Sequence, residues 1–95
     1  MIRVIATFQM KEDSLEKAID MAKQLVSETR KEKGCIQYDL IQSDADSTRL
    51  VILEHWATQE DLDVHSASEH FTTIVPTLVA LSAEAPKIET YKEIK

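Results

Sequence analysis

The chain has 95 residues, which suits one domain spanning 1–95 and leaves no room for two. So short a chain buries only roughly 60–65% of the surface its unfolded form exposes, so its core is modest and a partner would help it fold. Seventeen acidic residues against eleven basic ones give a net charge of −6 with no basic face, which argues against nucleic acid, and no apolar run is long enough for a membrane span.

The single cysteine, Cys35, rules out an internal disulfide and fits a reducing compartment. The start Met1-Ile2-Arg3-Val4-Ile5-Ala6-Thr7-Phe8 is too short and wrongly flanked for a signal peptide. A cytoplasmic location is therefore expected.

Residues 2–9 read as a first strand, with Val4, Ile5 and Phe8 giving it β-branched and aromatic character. A turn over Lys11 to Ser14 follows, with Asp13 or Ser14 as a cap. The first helix is expected over 14–31, because Leu15, Ile19, Ala22 and Val26 fall on one stripe with Ala18 and Leu25 beside it. The group Arg30-Lys31-Glu32-Lys33 falls where its basic side chains can complement the helix dipole, and Gly34 is the helix stop. Residues 35–42 and 49–57 read as a hairpin around Ser43-Asp44-Ala45-Asp46-Ser47, with Ile36, Tyr38 and Leu40 sharing one face of its first strand. A short helix over 59–66 opens on Thr58 as a cap. A second over about 69–82 opens on Ser68 and contains Pro76, which should kink it. Residues 87–94 read as the last strand.

The order is β-α-β-β-α-β: an α+β, ferredoxin-like arrangement with helices on one face of a four-stranded antiparallel sheet. The third strand is apolar on both faces, Leu50, Ile52 and Trp56 against Val51, Leu53 and Ala57. An antiparallel strand with one wet face should alternate apolar with polar. A second copy of the chain is the simplest cover for the open face, which predicts a homodimer.

All three histidines lie in the segment from Glu54 to Phe71. His65 falls at the end of the short helix and His70 in the first turn of the next, so both can line one pocket. A helix N-terminus disfavours a charged imidazole, which leaves His70 neutral and able to act as a base. The bland alternative is that both are capping or packing residues. Glu54 is unusual, because a carboxylate on a covered face needs a partner. Trp56 and Tyr38 read as core or pocket wall, and His55 points to the opposite face as a packing residue. A metal site from Glu54, His65 and His70 lacks the usual spacing. There is no phosphate loop or nucleophile elbow, and a Cys35/His dyad is weak.

Four stretches carry a resemblance to the antibiotic biosynthesis monooxygenase family of small dimeric α+β barrels. They are Ile2-Arg3-Val4-Ile5-Ala6, Glu32-Lys33-Gly34-Cys35-Ile36-Gln37-Tyr38-Asp39-Leu40, Leu53-Glu54-His55-Trp56, and His65-Ser66-Ala67-Ser68-Glu69-His70-Phe71. The last shows whole the His-x-x-Ser-x-His-Phe pattern common in that family. The resemblance implies oxidation of a small aromatic quinol or phenol by O₂ without flavin, metal or haem. His65 or His70 would be the base, and Trp56, Phe71, Glu54 and Tyr38 would contact substrate. Related haem-degrading enzymes hold iron through a His one turn after Phe71, where Val75 stands here, and carry an Asn where Ala6 stands. Isomerisation of a phosphorylated metabolite, and ligand binding without turnover, are the alternatives.

Overall fold

Alternation of small apolar with polar residues makes the first strand, β1 (Ile2–Gln9), a two-sided ribbon: Val4, Ala6 and Phe8 are buried and Ile5 is exposed. The computed structural model describes residues 1–95. After β1 come a 3₁₀ turn (Glu12–Ser14), α1 (Leu15–Thr29), β2 (Cys35–Gln42), β3 (Arg49–Trp56), α2 (Gln59–Ser66), α3 (Glu69–Ala80) and β4 (Lys87–Lys92). The sheet runs β2-β3-β1-β4, and every neighbouring pair is antiparallel. This is the ferredoxin-like α+β fold expected from the order of elements. No helix is long and apolar enough to cross a membrane.

The core lies between one sheet face and the helices. Ala18, Ala22, Leu25 and Val26 of α1 and Ile74 and Leu78 of α3 join Val4, Ala6, Phe8, Leu50, Ile52 and Trp56 in one buried cluster. Each fully buried large apolar side chain in it contributes about 1.5–3 kcal/mol.

Local details differ from expectation for physical reasons. Ser14 occupies the cap position of α1 without capping it, because its hydroxyl turns to Asp13 Oδ1 at 3.4 Å and a 3₁₀ turn leads into the helix instead. The basic group after α1 has specific partners. Arg30 reaches β2, with Nε donating to the Tyr38 carbonyl at 3.0 Å and Nη2 to Asp39 Oδ1 at 2.8 Å. A bulge between Cys35 and Gln37 removes Ile36 from the face of Tyr38 and leaves it 51% exposed. Helix α3 continues unbroken past Pro76, and β4 ends two residues earlier than its composition suggests.

Strand β3 has two faces of different character. Leu50, Ile52, Glu54 and Trp56 are buried beneath the helices, while Val51, Leu53 and His55 are partly open on the other side. Their cross-strand partners on that open side are Arg3, Ile5 and Thr7 of β1 and Gln37, Asp39 and Ile41 of β2, of which Ile5 and Ile41 are exposed apolar residues.

Candidate functional site

The junction between α2 and α3 is built by hydroxyl groups. Thr58 Oγ1 accepts the Asp61 N–H at 3.1 Å and starts α2. Ser68 Oγ accepts the Phe71 N–H at 3.3 Å and starts α3, while its own proton goes to the His65 carbonyl at 2.6 Å. Ser68 therefore fixes the end of one helix and the beginning of the next, which sets the spacing of His65 and His70.

A third segment completes the site. Gly34 has φ +79°, and a Cβ there would collide with the Asp61 carboxylate. Only glycine lets the turn after α1 approach α2 this closely. The Ala57 N–H donates to the Gly34 carbonyl at 2.9 Å and ties the turn to the end of β3. The turn delivers Glu32, whose Oε2 lies 2.6 Å from His65 Nδ1 and 3.0 Å from His70 Nε2.

The protonation pattern follows from this contact. An ionised carboxylate only accepts, so His65 Nδ1 carries the proton and donates it to Glu32. Nε2 is then the bare, basic nitrogen, and it is buried without any partner. The ring is 1% exposed and boxed by aromatics: Trp56 at 4.7 Å and 31°, Phe71 at 5.1 Å and 77°, Tyr38 at 5.3 Å and 70°. Burial pulls the His65 pKa below the ordinary histidine value, and the Glu32 contact opposes it.

His65 forms part of the wall of a cavity of about 170 Å³ between the sheet and helices α2 and α3. Its apolar wall includes Val4, Ala6, Phe8, Ile52, Phe71 and Val75, and its polar groups include Tyr38, Glu54 and His65. Glu54 is 7% exposed, and its Oε1 accepts the Trp56 Nε1–H at 2.9 Å. Burial pushes the Glu54 carboxyl up to about 7, against the pull of that hydrogen bond. Burial also raises Tyr38 far above the ordinary phenol, so it stays protonated. The Cys35 thiol is pushed up to about 11, first by burial and then by Glu32, and it is no thiolate nucleophile.

The structure therefore separates the candidates picked from sequence. His65, Glu54, Tyr38 and Phe71 meet at the cavity. Trp56 stands behind them, 0% exposed, under the His65 ring and against Glu54. His70 lies on the far side of Glu32, where it lines a surface cleft with Gln24, Glu28 and Glu69. His65 lies at the end of α2 as expected, and it is buried at the centre of the aromatic packing. Glu32 was missed as a site residue. Its signal was available: a lone acid within a basic run, directly before a turn that demands glycine.

Glu32, His65 and His70 also offer one donor atom each within 4.8 Å and could hold a divalent cation. Glu54 does not join them, so the metal set weighed from sequence does not form. A separation of 2.6 Å between Nδ1 and Oε2 is that of a strong hydrogen bond, and the oxygen lies where a shared ion would have to sit.

A 31% identity over 75 residues, 79% of this chain and 79% of the relative, links it to the Bacillus subtilis protein named "Putative monooxygenase YcnE". "Putative monooxygenase Rv0793" of Mycobacterium tuberculosis is 34% identical over 70 residues, 74% of this chain and 68% of that one. The crystal structure of a conserved protein from Methanosarcina mazei Go1 superposes with a TM-score of 0.94 at 35% identity, covering 97% of this chain and 91% of that one. The family model described as Antibiotic biosynthesis monooxygenase matches residues 1–77, and the chain belongs to that family.

Proposed function

We propose that the protein is a cofactor-independent monooxygenase of small phenols or quinols and that His65 is its base. The observation that carries this reading is the unpartnered, buried Nε2 of His65, a wall residue of an apolar cavity whose Nδ1 is fixed by Glu32. Such a nitrogen can take a proton from a bound hydroxyl. The imidazolium that forms keeps its charge 2.6 Å from the Glu32 carboxylate, which offsets the cost of a buried cation. The phenolate left behind is electron-rich enough to pass an electron to O₂, and combination of the two radicals makes a carbon–oxygen bond. The apolar wall excludes water from that reaction.

Cavity size and charge narrow the substrate. A void of about 150 Å³ suffices for benzene, so about 170 Å³ takes one substituted ring. It is well below the ~300 Å³ that larger ligands need, which leaves no room for a flavin beside substrate. No Lys or Arg lines it, whereas Glu54 and Asp63 do. A phosphorylated metabolite would meet carboxyl groups and no cation, which weighs against the isomerase reading.

The active unit is read as a homodimer, in which a second copy covers Val51 and Leu53 of β3 and the exposed Ile5, Ile41 and Tyr91. Oxygen uptake with a panel of single-ring phenols and hydroquinones tests the function. Uptake with at least one member, reduced roughly 10²–10⁴-fold in His65→Asn, is the expected result. Binding of panel members without any uptake would instead indicate a non-catalytic ligand-binding protein.

A further inference from the structure

Glu54 is the one acidic side chain buried in the covered face of the sheet, and the base mechanism leaves it unused. Its register neighbours are Val4 on β1 and Tyr38 on β2, neither of which is a cation. No ion pair involves it. The groups around it are the Trp56 indole on its own strand, the protonated Tyr38 phenol on β2, His65 of α2 and Thr90 of β4 across the shared cavity, and the Glu32 charge from the turn after α1. A carboxyl in an apolar wall with no cation holds its proton more tightly than one in water. Trp56 donates to Oε1, so that proton resides on Oε2.

We propose that Glu54 is the second catalytic group of the cavity: the acid that protonates the departing hydroxide when a substrate hydroperoxide collapses to quinone and water. This rests on the monooxygenase reading. Addition of O₂ to the phenolate leaves a ring carbon bearing both hydrogen and a peroxide, and the His65 imidazolium returns its proton to the peroxide anion. In the next step the neutral His65 Nε2 takes the proton from that carbon. The electrons of the broken C–H bond form the carbon–oxygen π bond, and the O–O bond breaks. The leaving hydroxide takes the Glu54 proton and becomes water. Solvent then reprotonates Glu54 and deprotonates His65. The sum is phenol plus O₂ giving quinone plus water, with no other reductant. The cavity thus holds a base for the carbon and an acid for the leaving oxygen, from two different elements.

Glu54→Gln tests the assignment, because the amide keeps the shape and an acceptor for Trp56 while carrying no transferable proton. With the best phenol of the panel, O₂ uptake should persist while quinone formation falls about 10²-fold, and peroxide should appear in its place. An infrared band of a protonated carboxyl at mildly acidic pH should be present in the parent and missing from the variant. Quinone at the parent rate without peroxide overturns the role of Glu54 alone, as does absence of the infrared band. No uptake by the parent with any phenol overturns the monooxygenase reading and this one with it.

Discussion

The two faces of β3 share one backbone and face different environments. On the covered side, Glu54 and Trp56 are held by a hydrogen bond to each other and by the ring of His65. On the open side, His55 makes its contacts with the chain ends, Met1 Sδ at 3.2 Å and Glu93 Oε2 at 3.6 Å, and Leu53 and Val51 lie half open. Polar groups in the covered face are few, enclosed and individually fixed, as chemistry requires. The open face mixes apolar residues with charges, as an association surface does. On the proposed function, reaction belongs to one face and assembly to the other, and that division can be broken from either side.

The largest effect should come from His65→Asn. The Asn amide can still donate to Glu32, so the turn keeps its partner, but the basic Nε2 is gone. Uptake of O₂ should fall roughly 10²–10⁴-fold. His65→Ala is a poorer probe, because removing a ring packed on Trp56, Tyr38 and Phe71 also leaves a void and takes from Glu32 the nearer of its two donors. Next is Glu32→Gln, which keeps the turn but removes the charge that holds the His65 tautomer. A loss between about tenfold and the ~10⁴-fold seen for the orienting carboxylate of a serine-protease triad is expected, mostly in kcat. Retention of full activity by this variant would show that the tautomer is fixed by something other than Glu32.

On the open face, Leu53→Glu should split the proposed homodimer, because it places a charge on the surface that a second copy would cover. Sedimentation at micromolar concentration should then give monomer for the variant and dimer for the parent. A stable, well-folded parent monomer would remove the open face from any role in assembly.

Much of the fold was legible in sequence because helices and strands announce themselves by period, and β3 announced apolar residues on both of its faces by lacking one. Thr58 and Ser68 were legible as caps for the same local reason. The site was legible only in part. His65 and His70 stood out as residue types, but their separation onto two sides of Glu32 depends on a contact between positions 33 and 38 residues apart, which no local pattern encodes. The cap misread at Ser14 and the bulge at Ile36 share a cause: neighbouring side chains and strand register decided them.

Protonation gives a smaller effect with a definite sign. The folded pKa of Glu54, about 7, lies above its ordinary 4.5, so the folded state keeps a proton that the unfolded state releases. Stability from this group is complete below the ordinary value and is lost as pH rises through about 7. His65 acts oppositely: its lowered value makes stability fall as pH drops below the ordinary histidine range. Glu54→Gln removes only the first effect. Relative to the parent, the variant should gain stability between about pH 5 and about pH 7, at up to about 1.4 kcal/mol per pH unit. Denaturant unfolding at several pH values measures this, and parallel curves would mean that Glu54 is ionised in the folded protein.

The smallest effect expected is that of His55→Ala. The side chain is 12% exposed and lies beside Met1 and Glu93, so its loss removes packing and one weak polar contact. About 1 kcal/mol of stability should go, the ordinary cost of a partly buried substitution. Turnover per folded molecule should not change, because β3 turns His55 away from the cavity that Glu54 and Trp56 face or support. His70→Ala is the useful partner measurement. It removes one of two donors to Glu32 but leaves the His65 contact, so it should lower activity less than Glu32→Gln does. If His55→Ala instead changed turnover as much as His70→Ala, the division between a reacting face and an assembling face would fail, since the only route from His55 to the cavity runs through the sheet itself.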